Sequence, residues 1–329
     1  MAPDRPVAPA VRIEHLTKRL RNGIVAVDDL SLTLEVGQVL GLVGPNGSGK
    51  TVTLKVLLGL VRPTSGSVSV FGEPMRPGAR VLSRVGALVD GPGFVPHLSG
   101  RTNLDLACRQ IRLSGGAPDL DAAISMTGLG DAIDRPFSDY SHGMRYRLGI
   151  AQALLGGPEL LLLDEPTTGL DPLQVIDVHQ TIASCVAAGA TVILSSHHFS
   201  EIERICSHAA VLRDGRLVAT GTIDELVEGH PRIHLEVDRP ERAVSLLRVH
   251  SGVTGADAVG GGTVLVEGAG LRPMDVVAAL DAGGVTVTAF RGATFEDSYL
   301  ALFRDHPGDG NGDGVSPTAE PKGPVRGVR

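Results

Sequence analysis

Residues 44–51 read Gly-Pro-Asn-Gly-Ser-Gly-Lys-Thr, matching the phosphate-binding loop G-x-x-x-x-G-K-[ST] at every required position. No other stretch constrains the fold as strongly, because such a loop works only between a buried strand and the start of a helix. Both neighbours are legible. Val39 to Val43 form a short apolar run that reads as a parallel strand, and Lys50 to Leu60 read as the helix that follows. Gly44, Gly47 and Gly49 allow turns closed to residues with a Cβ, so successive N–H groups can face phosphate oxygens at the positive end of the helix. Pro45, Asn46 and Ser48 fill the loop; Lys50 has the reach for β- and γ-phosphates, and the Thr51 hydroxyl suits Mg²⁺. The flanking strand and helix disfavour the alternative, an ordinary glycine-rich turn.

Leu160 to Pro166, Leu-Leu-Leu-Leu-Asp-Glu-Pro, supply a second half-site. Four leucines make a strand buried on both faces, ending in two carboxylates. Alternation along the strand sends Asp164 and Glu165 to different sides. Asp164 then suits Mg²⁺, directly or through water, while Glu165 can polarise an attacking water as general base. Alone these would read as solvated acids at a strand end; the phosphate loop gives them a partner.

Further segments follow in order: Tyr-Ser-His-Gly-Met at 140–144, Gly-Leu-Asp-Pro at 169–172 and Ser-Ser-His at 195–197. From about Val11 to Val227 the chain resembles the ATP-binding subunits of ABC transporters, whose distinguishing sequence is L-S-G-G-Q. The resemblance implies an α/β P-loop ATPase domain with a mixed sheet core and a helical subdomain, and ATP with Mg²⁺ as cofactors. The matching segment is Tyr140 to Met144, in which Ser141 is the right residue type to cap the next helix. By resemblance, Ser141 and Gly143 touch the γ-phosphate of ATP held by the loop of a second copy or a homologous ATPase subunit. Hydrolysis then requires a head-to-tail dimer. The resemblance also casts Gly169 to Pro172 as the loop joining the halves, with Asp171 among the nucleotide-binding residues, and His197 as sensor of the γ-phosphate. The place of His197 after a predicted strand, Thr191 to Ser195, separates it from His198.

Three departures from the family pattern carry information. Where an aromatic residue usually stacks on adenine, this chain has Leu20, which can pack on the ring but loses stacking worth about 1–3 kcal/mol. Where a Gln usually ligates Mg²⁺, this chain has Asp90, shorter and negatively charged. An acid in this Pro-Gly-Phe context resembles the bacitracin-export and lantibiotic-immunity branch of the family. His142 replaces the first Gly of the signature and Met144 its Gln. His142 reads either as a titratable group at the dimer interface or as a tolerated, solvent-facing substitution.

With 329 residues and 42% hydrophobic content the chain can fill two domain cores. The absence of an 18-residue apolar run, and of an apolar leader in Met-Ala-Pro-Asp-Arg-Pro, gives the expectation of a protein that neither crosses the membrane nor leaves the cytosol. A net charge of −7 and 3% aromatic residues argue against nucleic-acid partners. Cys108, Cys185 and Cys206 lack metal-ligand spacing and read as buried, reduced thiols. The expected organisation is a flexible 1–10, an ATP-binding domain over 11–229 with a helical subdomain near 84–158, an accessory domain over 232–303 and a disordered tail over 304–329. The accessory domain reads β-α-β-β-α-β, the ferredoxin-like pattern. In the tail, Asp309 to Glu320 satisfy a Ca²⁺-loop pattern, but Pro307, Pro317, Pro321 and Pro324 forbid the helices such a loop needs.

The expected function is an ATPase subunit at the cytoplasmic face of the plasma membrane, driving a separately encoded permease that exports an antibiotic, peptide or small hydrophobic compound. The competing classes are a soluble ABC ATPase of ribosomes or DNA and a regulatory module that no longer hydrolyses ATP. A single phosphate loop, and a gap between half-sites too short for long coiled coils, weigh against the first. Glu165 and His197 weigh against the second.

Overall fold

The computed structural model describes residues 8–113, 116–228, 232–268 and 271–304. Expectations for residues 1–7 and for the tail from 305 onward, the Ca²⁺-loop pattern included, lie outside the described residues. Ala10, within the stretch expected to be flexible, is buried, and its carbonyl accepts the Phe71 N–H.

Four antiparallel strands form the first sheet, in the order β2-β1-β4-β5: β1 (Val11–Arg19), β2 (Val25–Leu34), β4 (Ser65–Val70) and β5 (Glu73–Pro74). The central sheet has the order β10-β9-β3-β8-β7-β6. It contains β3 (Val39–Val43), β6 (Val85–Leu88), β7 (Leu160–Asp164), β8 (Thr191–Ser196), β9 (His208–Arg213) and β10 (Arg216–Thr222). All its pairings are parallel except β9 with β10, which turn at Asp214 and Gly215, both with positive φ.

Two-sided burial explains the leucine run. Leu160 and Leu162 pack into one core with the antiparallel sheet and α1 (Lys50–Leu57). Leu161 and Leu163 pack into another, with α4 (His142–Leu154), α5 (Pro172–Ala187) and α6 (Phe199–Ile205). A half-buried sheet would have read as alternation; only a sheet covered on both faces yields a continuous apolar strand.

The stretch 84–158 is not helical throughout. It opens with β6, which pairs with β7 and belongs to the central sheet; helices begin with α2 (Gly100–Leu113) and continue with α3 (Leu120–Thr127) and α4. Asp119 caps α3 through the Ala122 N–H. These helices hold a separate core around Leu104, Cys108, Ile133, Phe137 and Leu148. Cys108 and Cys206 are buried as expected, whereas Cys185, in the last turn of α5 beside an open pocket, is only partly so.

After α7 (Ile223–Glu228), a third sheet runs in the order β12-β13-β11-β14: β11 (Arg232–Val237), β12 (Gly255–Gly260), β13 (Thr263–Glu267) and β14 (Val287–Arg291). With α8 (Pro240–Leu247) and α9 (Pro273–Ala282) it completes the ferredoxin-like order around its own core, which includes Leu235, Leu247, Val264 and Leu280.

The last helix, α10 (Phe295–Arg304), departs from the expectation that it finishes this accessory unit. Phe295 is fully buried in the ATPase core, and Phe199 of α6 meets the Phe295 and Tyr299 rings at 6.1 and 4.5 Å. Asp297 on the same helix faces the third sheet. It accepts from Arg291 at 2.7 Å, from His234 at 2.9 Å, and from the Thr294 N–H and hydroxyl at 3.0 and 2.8 Å. Burial opposes ionisation of Asp297, but Arg291, Thr294 and His234 outweigh it and hold the carboxyl down at about 2. A folded value below the unfolded one contributes stability above about pH 4, lost as pH falls from there toward 2. Asp297→Asn is therefore expected to lower stability by on the order of 2 kcal/mol at neutral pH. In urea titrations the gap from the parent should narrow below pH 4; a gap independent of pH would contradict this anchoring role.

Candidate active site

The cavity lies at the carboxyl ends of β3, β8 and β7, where parallel α/β sheets place their ligands. About 320 Å³ in volume, it is lined by Leu20, Ile24, Ala26, Asn46 to Val52 and Glu165. Leu20 lines the cavity, on a turn in which its N–H donates to the Ile24 carbonyl and its carbonyl accepts the Gly23 N–H. Ile24 and Ala26, which carry no sequence signal of their own, add to the same apolar wall.

Sterics explain the glycines at the ends of the loop. A Cβ on Gly44 would strike the Leu212 carbonyl, and one on Gly49 (φ +101°) would stand 2.5 Å from the Ala26 carbonyl. Lys50 turns its ammonium back on the loop, donating to the Gly44 and Pro45 carbonyls at 2.6 and 3.2 Å. Burial lowers its pKa, while Glu165 and Asp164 oppose that shift. Ser48 Oγ is buried among the loop residues without a hydrogen-bond partner, an orphaned group of the kind a bound oxyanion satisfies.

Asp164 is buried, and its two oxygens take one hydroxyl each: Thr51 Oγ donates at 2.9 Å and Ser195 Oγ at 2.6 Å. Strand register brings this about, since β8 lies between β3 and β7 and Ser195 pairs with both Leu42 and Asp164. The structure places the two carboxylates differently from simple strand alternation. The strand ends at Asp164, and Glu165 has already left it with φ +49°. Its N–H is held by the Ser195 carbonyl and hydroxyl, while its Oε2 accepts from His197 Nδ1 at 2.6 Å and from the Thr168 hydroxyl at 3.2 Å. Glu165 and His197 are therefore one hydrogen-bonded pair.

Thr51 and Asp164 offer hard oxygen donors of the type Mg²⁺ takes, and no cluster of three or more His, Cys, Asp or Glu fit for a metal occurs among the described residues. Asp90 does not join them. It has φ +61° and forms a 2.6 Å ion pair with Lys55 of α1, because that ammonium lies one turn beyond the phosphate loop and neutralises it there.

Ser141 caps α4 through the Met144 N–H, as its residue type predicts. Asp171 caps α5, accepting from the Leu173 and Gln174 N–H groups, with Pro172 at the first turn. Neither Ser141, Gly143 nor Asp171 lines the cavity of its own chain. Ser195 is the residue that sequence reasoning passed over; its position beside His197 was visible, but its partner came only with strand order. Removing the Ser195 hydroxyl takes a donor from a buried carboxylate and a contact from Glu165. Ser195→Ala is expected to lower kcat for ATP hydrolysis about tenfold. Phosphate release at saturating ATP measures this; turnover equal to the parent would reduce Ser195 to a bystander.

A family model described as ABC transporter matches residues 27–168. An uncharacterized ABC transporter ATP-binding protein of Bacillus subtilis, YhcH, is 35% identical over 72% of this chain and 78% of its own length. The bacitracin transport ATP-binding protein BcrA of Bacillus licheniformis is 36% identical over 68% of this chain and 74% of its own. Nod factor export ATP-binding protein I of Cupriavidus metallidurans is 39% identical over 64% and 71%. Among solved structures, an ATP-binding subunit of an ABC transporter superposes with a TM-score of 0.60 at 25% identity, covering 67% of this chain and 92% of its own. On this likeness, and on a site that joins phosphate loop, buried aspartate and glutamate–histidine pair, the chain belongs to the ATP-binding subunits of ABC transporters and is an ATPase.

Proposed function

We propose that this ATPase works as a head-to-tail pair with a second copy or a homologous subunit, and drives export through a separately encoded membrane permease. The observation that carries the reading is the incompleteness of the cavity. One chain brings Lys50, Thr51 and Glu165 to it but keeps Ser141 and Gly143 elsewhere, capping and packing a helix start that a facing subunit could use. No helix among the described residues is long and apolar enough to cross a membrane, which fits a subunit working on a membrane partner from the cytoplasmic face. The names of the bacitracin and Nod factor relatives support export over import.

In this mechanism the loop amides and Lys50 hold the ATP phosphates, and Lys50 exchanges its carbonyl partners for phosphate oxygens. Leu20, Ile24 and Ala26 give adenine an apolar wall without a π face, so affinity rests mainly on the phosphates. Mg²⁺ held by Thr51 and Asp164 would neutralise charge on the phosphate oxygens. Glu165 takes a proton from the attacking water, and His197 and Thr168 keep its carboxylate aimed. Ser141 and Gly143 of the facing subunit would close over the γ-phosphate, and Asp171 would meet the nucleotide from the loop beside them. ATP binding closes the pair and hydrolysis reopens it. The strand-to-helix segment at Asp90 carries that motion to the permease.

Two experiments test this. Glu165→Gln is expected to bind ATP without turnover and to accumulate as an ATP-bound dimer in size-exclusion chromatography with light scattering; a persistent monomer at saturating ATP would reject the two-subunit site. Asp90→Gln is expected to retain or raise ATPase activity while displacing the Mg²⁺ titration curve. Superimposable curves would leave Asp90 as the partner of Lys55 alone.

A further inference from the structure

His142 stands where the family signature has a glycine, and its ring is not free in solvent. Nε2 lies 2.9 Å from the Thr168 carbonyl oxygen, which can only accept, so the ring donates. The same ring lies against Gly169, where a Cβ would come within 2.7 Å of it, and packs on Tyr146 of its own helix with centroids 4.7 Å apart. Thr168 then turns its hydroxyl to Glu165 Oε2 at 3.2 Å, the same oxygen that receives His197. Two side chains and one backbone step therefore separate the signature segment from the catalytic carboxylate. Gly143 seats the other edge of the segment. Its missing Cβ leaves room for the side chain of Gln174, a residue whose backbone N–H donates to Asp171.

We propose that His142 is a positioning residue for hydrolysis. It clamps the Ser141–Gly143 segment to the Thr168–Gly169 loop of its own subunit, so that segment and Glu165 move as one piece. A glycine at this position has no atom to reach the Thr168 carbonyl, so the link is an addition by this chain to the signature. The inference rests on the two-subunit reading above for its consequence: the segment presented to the facing phosphate loop and the base serving its own loop are registered to each other. Closure then sets both sites together. The bond needs only an N–H donor at the right reach, since it ends on a backbone carbonyl. Glutamine can supply that donor; alanine cannot.

The test compares His142→Ala and His142→Gln with the parent as full-length chains. For His142→Ala, kcat for ATP is expected to fall about five- to tenfold, the worth of one hydrogen bond. The dissociation constant of a fluorescent ATP analogue on the dilute subunit should change less than about twofold, because the phosphate loop is untouched. His142→Gln should recover most of kcat. A parent-like kcat in His142→Ala, or equal losses in Ala and Gln variants of parent-like thermal stability, would overturn the proposal. In the Glu165→Gln background, His142→Ala should raise the ATP concentration needed for dimerisation. If Glu165→Gln alone stays monomeric, the two-subunit reading fails by itself, and the kcat comparison still decides whether His142 positions Glu165.

Discussion

Everything at the nucleotide site depends on a buried negative charge, the Asp164 carboxylate. Only 8% exposed, it has no ion pair among the described residues; two hydroxyls hold it instead. A charge so placed must be compensated by fixed donors or by a cation. Those donors come from the first turn of α1 and the end of strand β8, so the loop, the helix start and three adjacent strands must adopt one register together. Lys50 answers the same field. Burial pulls toward its neutral form, and the two neighbouring carboxylates favour the ammonium. Helix start, strand order and charge balance are one constraint seen from three sides.

Much of this was legible because the signals are local. The phosphate loop, its flanking elements, the two-faced leucine strand and the cap at Ser141 follow from residue type and spacing alone. What escaped depended on which distant segments become neighbours. Ser195 gains its role only because β8 inserts between β3 and β7, an order that no spacing encodes. Strand alternation misdescribed Glu165 because the strand stops one residue earlier, and a positive φ re-aims the side chain. Lys55 captures Asp90 although the sequence pointed that acid toward the metal. In each case the local rule was sound and a tertiary partner overrode it.

The accessory unit illustrates the same limit at larger scale. Its β-α-β-β-α-β order was readable, but a periodic helix does not announce which core it serves. α10 serves two. Phe295 and Tyr299 pack on Phe199, while Asp297 is held by His234, Arg291 and Thr294 on the other side. Apolar contact alone would let the helix slide, since it is non-directional. The carboxylate network fixes its rotation and makes the accessory sheet part of the mounting of α6.

That mounting matters because α6 begins two residues after His197. His197 is therefore held between the Glu165 carboxylate and a helix braced by α10. On the other flank, Thr168 gives its hydroxyl to the same carboxylate and its carbonyl to His142. Glu165 thus sits where two structural branches meet, one from the signature helix and one from the accessory unit. Its left-handed backbone leaves it no strand neighbours to hold it in place beyond the Ser195 contacts to its N–H. The orientation of this carboxylate is then set by side chains tied to other parts of the molecule. The Glu165 carboxylate is aimed through Thr168 and His197 together, so its placement depends on the fold of the whole chain rather than on the phosphate loop alone.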